Sequence, residues 1–145
     1  MIVYLDASAL VKRYLAEAGS LEVNSLIADS AAIGTSLVSR AEVAAAIARA
    51  VRVGGIARPA GEKALQALHA QWADVMALPV TALLVARAGE LAWTHGLRGY
   101  DAIHLSSALF WQEDLAEPVV VATFDRELEN AAQQAGMQAW PGGLG

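Results

Sequence analysis

The sequence predicts an α/β fold: a three-layer α/β/α sandwich around a mainly parallel central sheet. Short apolar runs rich in β-branched residues alternate along the chain with longer segments of helical periodicity, which is typical of parallel sheets covered by helices. Residues 119–123 are rich in valine, as expected of a strand buried on both faces. A chain of 145 residues suits a single core, so we predict one domain over residues 1–145.

The first half of the chain begins with an apolar, β-branched strand at Ile2–Leu5. A helix is predicted at residues 8–16, where apolar side chains recur on one face, and a second helix follows at 21–28. Residues 32–35 are the next predicted strand. A longer helix at residues 39–53 ends where two consecutive glycines interrupt the pattern.

The second half repeats this alternation. A proline introduces a helix over residues 59–74, a strand is predicted at 75–80, and the helix at 81–95 stops at a glycine. The remaining elements are bounded by glycine and proline in the same way. They are a helix at residues 101–112, a strand at 119–123, a helix at 126–135 and a short edge strand at 138–140.

Composition excludes several classes of protein. No apolar run reaches the roughly 18 residues that span a bilayer, so we predict no membrane association. The absence of cysteine removes disulfides and thiolate metal sites, and the N-terminus lacks the basic head of a signal peptide, so we expect a cytoplasmic protein. A net charge of −5 argues against a generally basic nucleic-acid surface. Clustered metal-binding carboxylates would account for part of that charge.

Carboxylates occur at several predicted element boundaries. Asp6 and Asp125 follow two of the predicted strands, and Glu42 lies in the first turn of the helix after another. Because the carboxyl ends of parallel strands meet at one edge of a sheet, we expect these three side chains to converge. Asp101 begins a helix but follows no predicted strand, so periodicity alone does not bring it to that edge.

Each carboxylate also has a purely structural interpretation. Asp6, Asp101 and Asp125 are all suited to cap the helix that follows them. Ser39 and Glu42 have the Ser-x-x-Glu spacing of a capping box. Capping and metal binding therefore both remain open for each residue taken alone.

Converging carboxylates repel one another unless a positive charge lies among them. Oxygen ligands without cysteine favour Mg²⁺ or Mn²⁺ over zinc. Such an ion activates a bound water for attack on a phosphodiester. The carboxylates taken together therefore predict hydrolytic phosphoryl chemistry.

Four ordered segments of the sequence resemble a PIN domain, and more closely a toxin of the VapC type. They are YLDASALVKRYL, SLVSRAEVAAAI, LRGYDAIHLSSAL and VVVATFDREL, and they span residues 4–128. The resemblance implies a Mg²⁺- or Mn²⁺-dependent endoribonuclease whose acidic metal-binding tetrad is Asp6, Glu42, Asp101 and Asp125. It also implies a homodimer that acts on RNA and a cognate antitoxin protein that blocks the active site.

Hydroxyl and histidine side chains near the tetrad have two interpretations each. Ser8 and Thr123 either hold a carboxylate or metal-bound water in place, or serve helix capping and β propensity. His104 lies three residues after Asp101, which suits acid–base chemistry, but its position also points toward the core.

Five basic side chains are candidate contacts to RNA phosphates, with solvated surface charge as the alternative for each. They are Lys12, Arg13, Arg40, Arg98 and Arg126. The tryptophans are expected in the core or at a dimer interface.

Other functions remain as alternatives. A haloacid-dehalogenase-like phosphatase requires a second Asp where this chain has Ser8. A response-regulator-type acceptor domain requires an acidic pair and a late lysine, and the lysines here are Lys12 and Lys63. The remaining alternatives to a toxin are a non-catalytic binding module with a PIN fold and a solitary RNA-processing nuclease.

Overall fold

The computed structural model describes residues 1–144, and Gly145, the last residue of the predicted domain, lies outside the described residues. The strands are β1 Ile2–Leu5, β2 Ala32–Ser36, β3 Met76–Leu78, β4 Val119–Ala122 and β5 Gln138–Trp140. The α-helices are α1 Ala7–Leu10, α2 Ser20–Asp29, α3 Ser39–Arg52, α4 Arg58–Gln71, α5 Ala82–His95, α6 Gly99–Leu115 and α7 Arg126–Gln134. Single 3₁₀ turns, at Val11–Arg13 and Trp72–Asp74, extend α1 and α4.

The sheet has the strand order β3-β2-β1-β4-β5, and each neighbouring pair is parallel. The predicted parallel α/β fold is therefore confirmed. From β1 the chain builds the sheet first toward β2 and β3, and then returns to the other side of β1 to form β4 and β5. The carboxyl ends of β1 and β4 flank this reversal, which is where ligands bind in open α/β sheets.

Side chains of the two central strands alternate between the two faces of the sheet, as a period of two requires. Tyr4 and Val121 pack in one cluster with residues of α5, α6 and α7. Val3, Leu5 and Val120 pack in the other, with residues of α1 to α4. Helices therefore cover both faces, which is the predicted three-layer arrangement.

Helix α6 lies directly against β2. A Cβ built on Gly34 would stand 2.6 Å from the ring of Trp111, so the strand needs glycine there to let the indole approach. Trp111 is buried, as expected of a core tryptophan, whereas Trp93 is 92 % exposed and does not belong to the core. This close packing fixes the position of α6, whose first turn carries Asp101.

Several predicted boundaries were wrong. The helix expected at residues 8–16 ends at Leu10 and becomes a 3₁₀ turn, and beyond it the chain folds back so that Lys12 Nζ donates to the carbonyl of Ala18 at 2.7 Å. The strand expected at 75–80 stops at Leu78 because Pro79 has no N–H to donate. Helix α6 begins two residues earlier than expected, without a side-chain cap to mark its start.

None of the helices within residues 1–144 combines the length and apolar composition that crossing a membrane requires.

Candidate active site

Asp6 is buried at the carboxyl end of β1, where its side chain is surrounded by donors. Its Oδ1 accepts hydrogen bonds from the amide of Ala9 at 3.0 Å and from Ser8 Oγ at 2.7 Å. Its Oδ2 accepts one from Thr123 Oγ1 at 2.7 Å. The hydrogen bond from the amide of Ala9 makes Asp6 the N-cap of α1, so the capping interpretation is correct. The two hydroxyl bonds belong to a wider arrangement around the same carboxylate.

Ser8 and Thr123 connect Asp6 to the loop after β4. Ser8 Oγ accepts a hydrogen bond from the amide of Phe124 at 2.9 Å, and Thr123 Oγ1 accepts one from the amide of Asp125 at 3.0 Å. Each hydroxyl therefore donates to Asp6 and accepts from a backbone amide of the loop after β4. This arrangement fixes the distance between the two strand ends and orients the Asp6 carboxylate.

Asp101 and Asp125 are joined by one guanidinium group. Arg98 donates from Nε to Asp101 Oδ2 at 3.2 Å and from Nη2 to Asp125 Oδ2 at 3.1 Å. Asp125 also caps α7, because its Oδ1 accepts from the amide of Leu128 at 2.9 Å. Asp101 lies inside the first turn of α6 and does not cap it, so the capping interpretation of Asp101 was wrong.

Burial raises the pKa values of Asp6 and Asp101, and negative neighbours raise that of Asp101 further. Burial raises the pKa of Asp6 above its ordinary value, against the opposing effect of its hydroxyl donors. Burial and then the negative charge of Asp125 raise the pKa of Asp101, although Arg98 opposes them. The charge of Asp6 also contributes to the raised pKa of Asp101, so Asp101 lies within electrostatic reach of both Asp125 and Asp6.

The capping box predicted for Ser39 and Glu42 is not formed. Helix α3 begins at Ser39 itself, so this serine occupies the first helical position and not the cap. Its hydroxyl is buried and hydrogen-bonded to Thr35 Oγ1 at 2.7 Å. Because Ser39 is engaged with β2, the Glu42 side chain is available for a different partner.

That partner is His104, whose Nε2 lies 2.8 Å from Glu42 Oε1. On the other side of the imidazole, Nδ1 lies 2.8 Å from the hydroxyl of Tyr4. His104 is only 2 % exposed and Tyr4 is fully buried. Burial raises the pKa of Tyr4 well above its ordinary value, so its hydroxyl keeps its proton. A hydrogen-bonded chain therefore runs from the core to Glu42.

Of the five predicted basic contacts, two line a cleft beside the acidic residues and three do not. Arg98 lies among the acidic residues, and an open cleft of about 610 Å³ beside it is lined by Arg98, Asp125, Arg126, Glu127 and Gly96. Lys12 pairs with Glu17 and lies 4.4 Å from the centre of the Phe124 ring. Arg40 contacts His69 and stacks near Trp72. Arg13 lies in the same 3₁₀ turn as Lys12.

The donor set suits a hard divalent cation, because the acidic side chains supply only oxygen, and the raised pKa of Asp101 reflects in part the negative charge of Asp125 and Asp6. As the described side chains stand, no three acidic or histidine groups are grouped closely enough to hold an ion. Arg98 provides the positive charge between Asp101 and Asp125 in this arrangement. A cation bound between these two carboxylates would therefore compete with its guanidinium group.

Comparison with known proteins identifies the fold family. The family profile of the PIN domain matches residues 3–134. This chain belongs to the PIN domain family. Ribonuclease VapC45 of Mycobacterium tuberculosis (strain CDC 1551 / Oshkosh) is 37% identical to this PIN domain over 144 residues, covering 99% of this chain and 97% of the relative.

Solved structures share the PIN fold at lower identity. The crystal structure of Mycobacterium tuberculosis VapC20, described as a Sarcin-Ricin loop cleaving toxin, has a TM-score of 0.64 at 19% identity and covers 89% of this chain and 94% of that one. A toxin–antitoxin complex from Klebsiella pneumoniae has a TM-score of 0.56 at 14% identity, covering 81% of this chain and 83% of that one.

Sequence reasoning did not single out Tyr4, and it left the role of His104 open. Tyr4 lies in an otherwise aliphatic strand, and His104 follows it by 100 residues. The only available signal was the pairing of a tyrosine in β1 with a histidine one turn after Asp101. That signal becomes informative only when the register of α6 over β1 is known.

We expect Asp101→Asn to raise the melting temperature of the metal-free protein at pH 7. A raised pKa means that the folded state holds the proton more tightly than the unfolded chain, so stability falls as pH rises from the ordinary value of 3.8 through the raised pKa. Above that window the ionised group is destabilising, and the amide removes this cost. Melting in EDTA checks this.

The exposed Asp29, at the opposite edge of the sheet, provides a control, since Asp29→Asn should leave the melting temperature nearly unchanged. The advantage of Asp101→Asn should also disappear below the ordinary pKa, where both proteins are neutral at that position. A variant that melts below the wild type at pH 7 would contradict the electrostatic interpretation.

Proposed function

We propose that this chain is a Mg²⁺- or Mn²⁺-dependent endoribonuclease and the toxin of a toxin–antitoxin pair. One observation carries the proposal: in a PIN domain, the buried Asp6 lies at the carboxyl end of β1 within electrostatic reach of Asp101, which Arg98 joins to Asp125 after β4. A buried carboxylate with like-charged neighbours is costly to keep for structural reasons alone. The relationship to Ribonuclease VapC45 supports RNA as the substrate.

Asp6, Glu42, Asp101 and Asp125 are the residues that would hold the ion. When bound, Mg²⁺ or Mn²⁺ supplies a nucleophilic water at neutral pH and Lewis acidity toward a phosphate oxygen. The chain's own contribution is the fixed placement of these oxygen ligands. Ser8 and Thr123 hold Asp6 in one orientation through hydrogen bonds of 2.7 Å each.

Arg98 and Arg126 line the cleft beside Asp125 and offer positive charge to an RNA backbone entering it. Arg98 is 75 % exposed on its side chain and rests on two carboxylates. An exposed ion pair of this kind is weak, so the guanidinium is able to leave the carboxylates for a phosphate. Lys12, Arg13 and Arg40 remain candidate contacts to other phosphates of the RNA.

We expect the purified protein to cleave single-stranded RNA with Mg²⁺ or Mn²⁺, and to lose activity in EDTA. Because each carboxylate stabilises the reacting charge through the ion, Asp6→Asn and Asp101→Asn should each lower the cleavage rate by about 100-fold or more. Release of fluorescence from a dual-labelled RNA measures the rate. Asp29→Asn is the matched control, an exposed aspartate at the other edge of the sheet that should keep wild-type activity.

Activity that survives EDTA, or that is equal in wild type and both variants, would contradict a metal-dependent nuclease. Absence of cleavage in a wild type that binds Mn²⁺ would favour the non-catalytic binding module instead.

The toxin role requires partners: a homodimer and a cognate antitoxin that blocks the active site. Two apolar side chains on α5, Leu83 and Trp93, are 70% and 92% exposed and offer surface that a second copy would cover. The structural similarity to a toxin–antitoxin complex supports an antitoxin partner.

Light scattering should give twice the monomer mass for the purified chain. We expect a small reading frame beside its gene, whose product, when co-expressed, should co-purify with this protein and suppress RNA cleavage. A monomeric mass would contradict the homodimer. Unaffected cleavage in the presence of that product would favour a solitary RNA-processing nuclease.

A further inference from the structure

We propose that His104 is a positioning residue for the metal site. It holds the Glu42 carboxylate in a fixed place between the core and the acidic edge of the sheet, the edge that carries Asp6, Asp101 and Asp125. The inference rests on the proposed function, because Glu42 matters to a cation only if the acidic edge binds one. It assigns a role to the buried chain of Tyr4, His104 and Glu42, none of whose hydrogen bonds is needed to form the fold's helices or strands.

The imidazole of His104 is hydrogen-bonded at both ring nitrogens. An ionised carboxylate only accepts hydrogen bonds, so the 2.8 Å contact to Glu42 Oε1 requires a proton on Nε2 of His104. On the other side of the ring, Nδ1 lies 2.8 Å from the hydroxyl of Tyr4, which is able both to donate and to accept a hydrogen bond. Both ring nitrogens therefore have a hydrogen-bond partner. Together the two contacts hold the ring in one orientation.

Packing in the core holds the Tyr4 end of this hydrogen-bonded chain in place. The rings of Tyr4 and His104 meet edge to face, with centroids 5.9 Å apart and an interplanar angle of 68°. Both are almost entirely shielded from solvent, whereas the side chain of Glu42 is 29% exposed. The hydrogen-bonded chain thus connects the rigid core to the partly exposed carboxylate of Glu42 on α3. A glutamate with three rotatable bonds would otherwise sample several positions at the surface.

A core role alone does not explain this arrangement. An apolar side chain of similar size would fill the space without the cost of burying two ring nitrogens. The buried groups here are polar instead, and their hydrogen bonds lead to one of the four carboxylates. Hydrogen-bond partners that orient a metal ligand typically change metal affinity by about 10- to 100-fold when they are removed.

Two amide substitutions separate the two ends of the imidazole. The side-chain nitrogen of Gln reaches the position of Nε2, so His104→Gln keeps a donor for Glu42 and loses the contact to Tyr4. The shorter Asn reaches only the position of Nδ1, so His104→Asn keeps a partner for Tyr4 and loses Glu42. His104→Gln leaves the buried Tyr4 hydroxyl without its partner, whereas His104→Asn leaves the partly exposed Glu42 without its partner. The melting temperature of His104→Gln should therefore be no higher than that of His104→Asn.

Titration calorimetry with MnCl₂ tests the proposal. The Kd of His104→Asn should rise by about 10-fold or more, whereas that of His104→Gln should stay within about threefold of wild type. In a Glu42→Gln background, His104→Asn should cause no further loss, because its effect passes through Glu42. Ser106→Ala is the control, because Ser106 lies on the same helix as His104. Loss of its buried hydrogen bond to the Leu84 carbonyl should lower stability and leave the Kd for Mn²⁺ unchanged.

If the wild type binds Mn²⁺ tightly, two results would overturn the positioning role and leave the metal site standing. They are an equal loss of affinity in His104→Asn and His104→Gln, or an additive loss of affinity in the Glu42→Gln background. A wild type that binds no Mn²⁺ would overturn the proposed metal site and this inference with it.

Discussion

The carboxylate of Asp6 is buried at the end of a central strand, and this burial constrains the surrounding structure. A buried charge is tolerated only when donors or cations compensate it. Here the amide of Ala9 and the hydroxyls of Ser8 and Thr123 supply the donors. The two hydroxyls also bind the backbone after β4, so the requirement of one carboxylate fixes the geometry between two strands. Asp125, which follows Thr123 by two residues, is placed by the same contacts.

Hydrogen bonds alone do not balance the charge at this edge. The pKa values of Asp6 and Asp101 remain raised by burial, and in Asp101 also by the charge of Asp125. Arg98 is the basic group that bridges Asp101 and Asp125, from a largely exposed position. The site therefore combines a rigid inner part around Asp6 with a replaceable outer cation. A divalent ion would compensate the same charge more completely, and this is the physical basis of the proposed function.

The sequence predicted the parallel sheet and the placement of Asp6 and Asp125, because both follow directly from strand ends and need no long-range contact. Asp101 depended on the family resemblance, since α6 reaches the edge by packing against β2 through Gly34 and Trp111. The capping box at Ser39 was wrong because the Ser39 hydroxyl bonds to Thr35, a contact that local spacing cannot reveal. The link between Tyr4, His104 and Glu42 joins three distant segments, and it becomes visible only in the folded chain.

The proposed activity requires that the acidic edge of the sheet bind a divalent cation. Anomalous diffraction from crystals soaked in MnCl₂ tests it most directly, because the signal locates the ion among named side chains. We predict a Mn²⁺ peak in contact with Asp6 or Asp101 and near Glu42 and Asp125, with the Arg98 guanidinium displaced from its two carboxylates. Mn²⁺ bound only elsewhere, or no ion at this edge while Arg98 keeps both of its hydrogen bonds, would show that these carboxylates do not form a cation site.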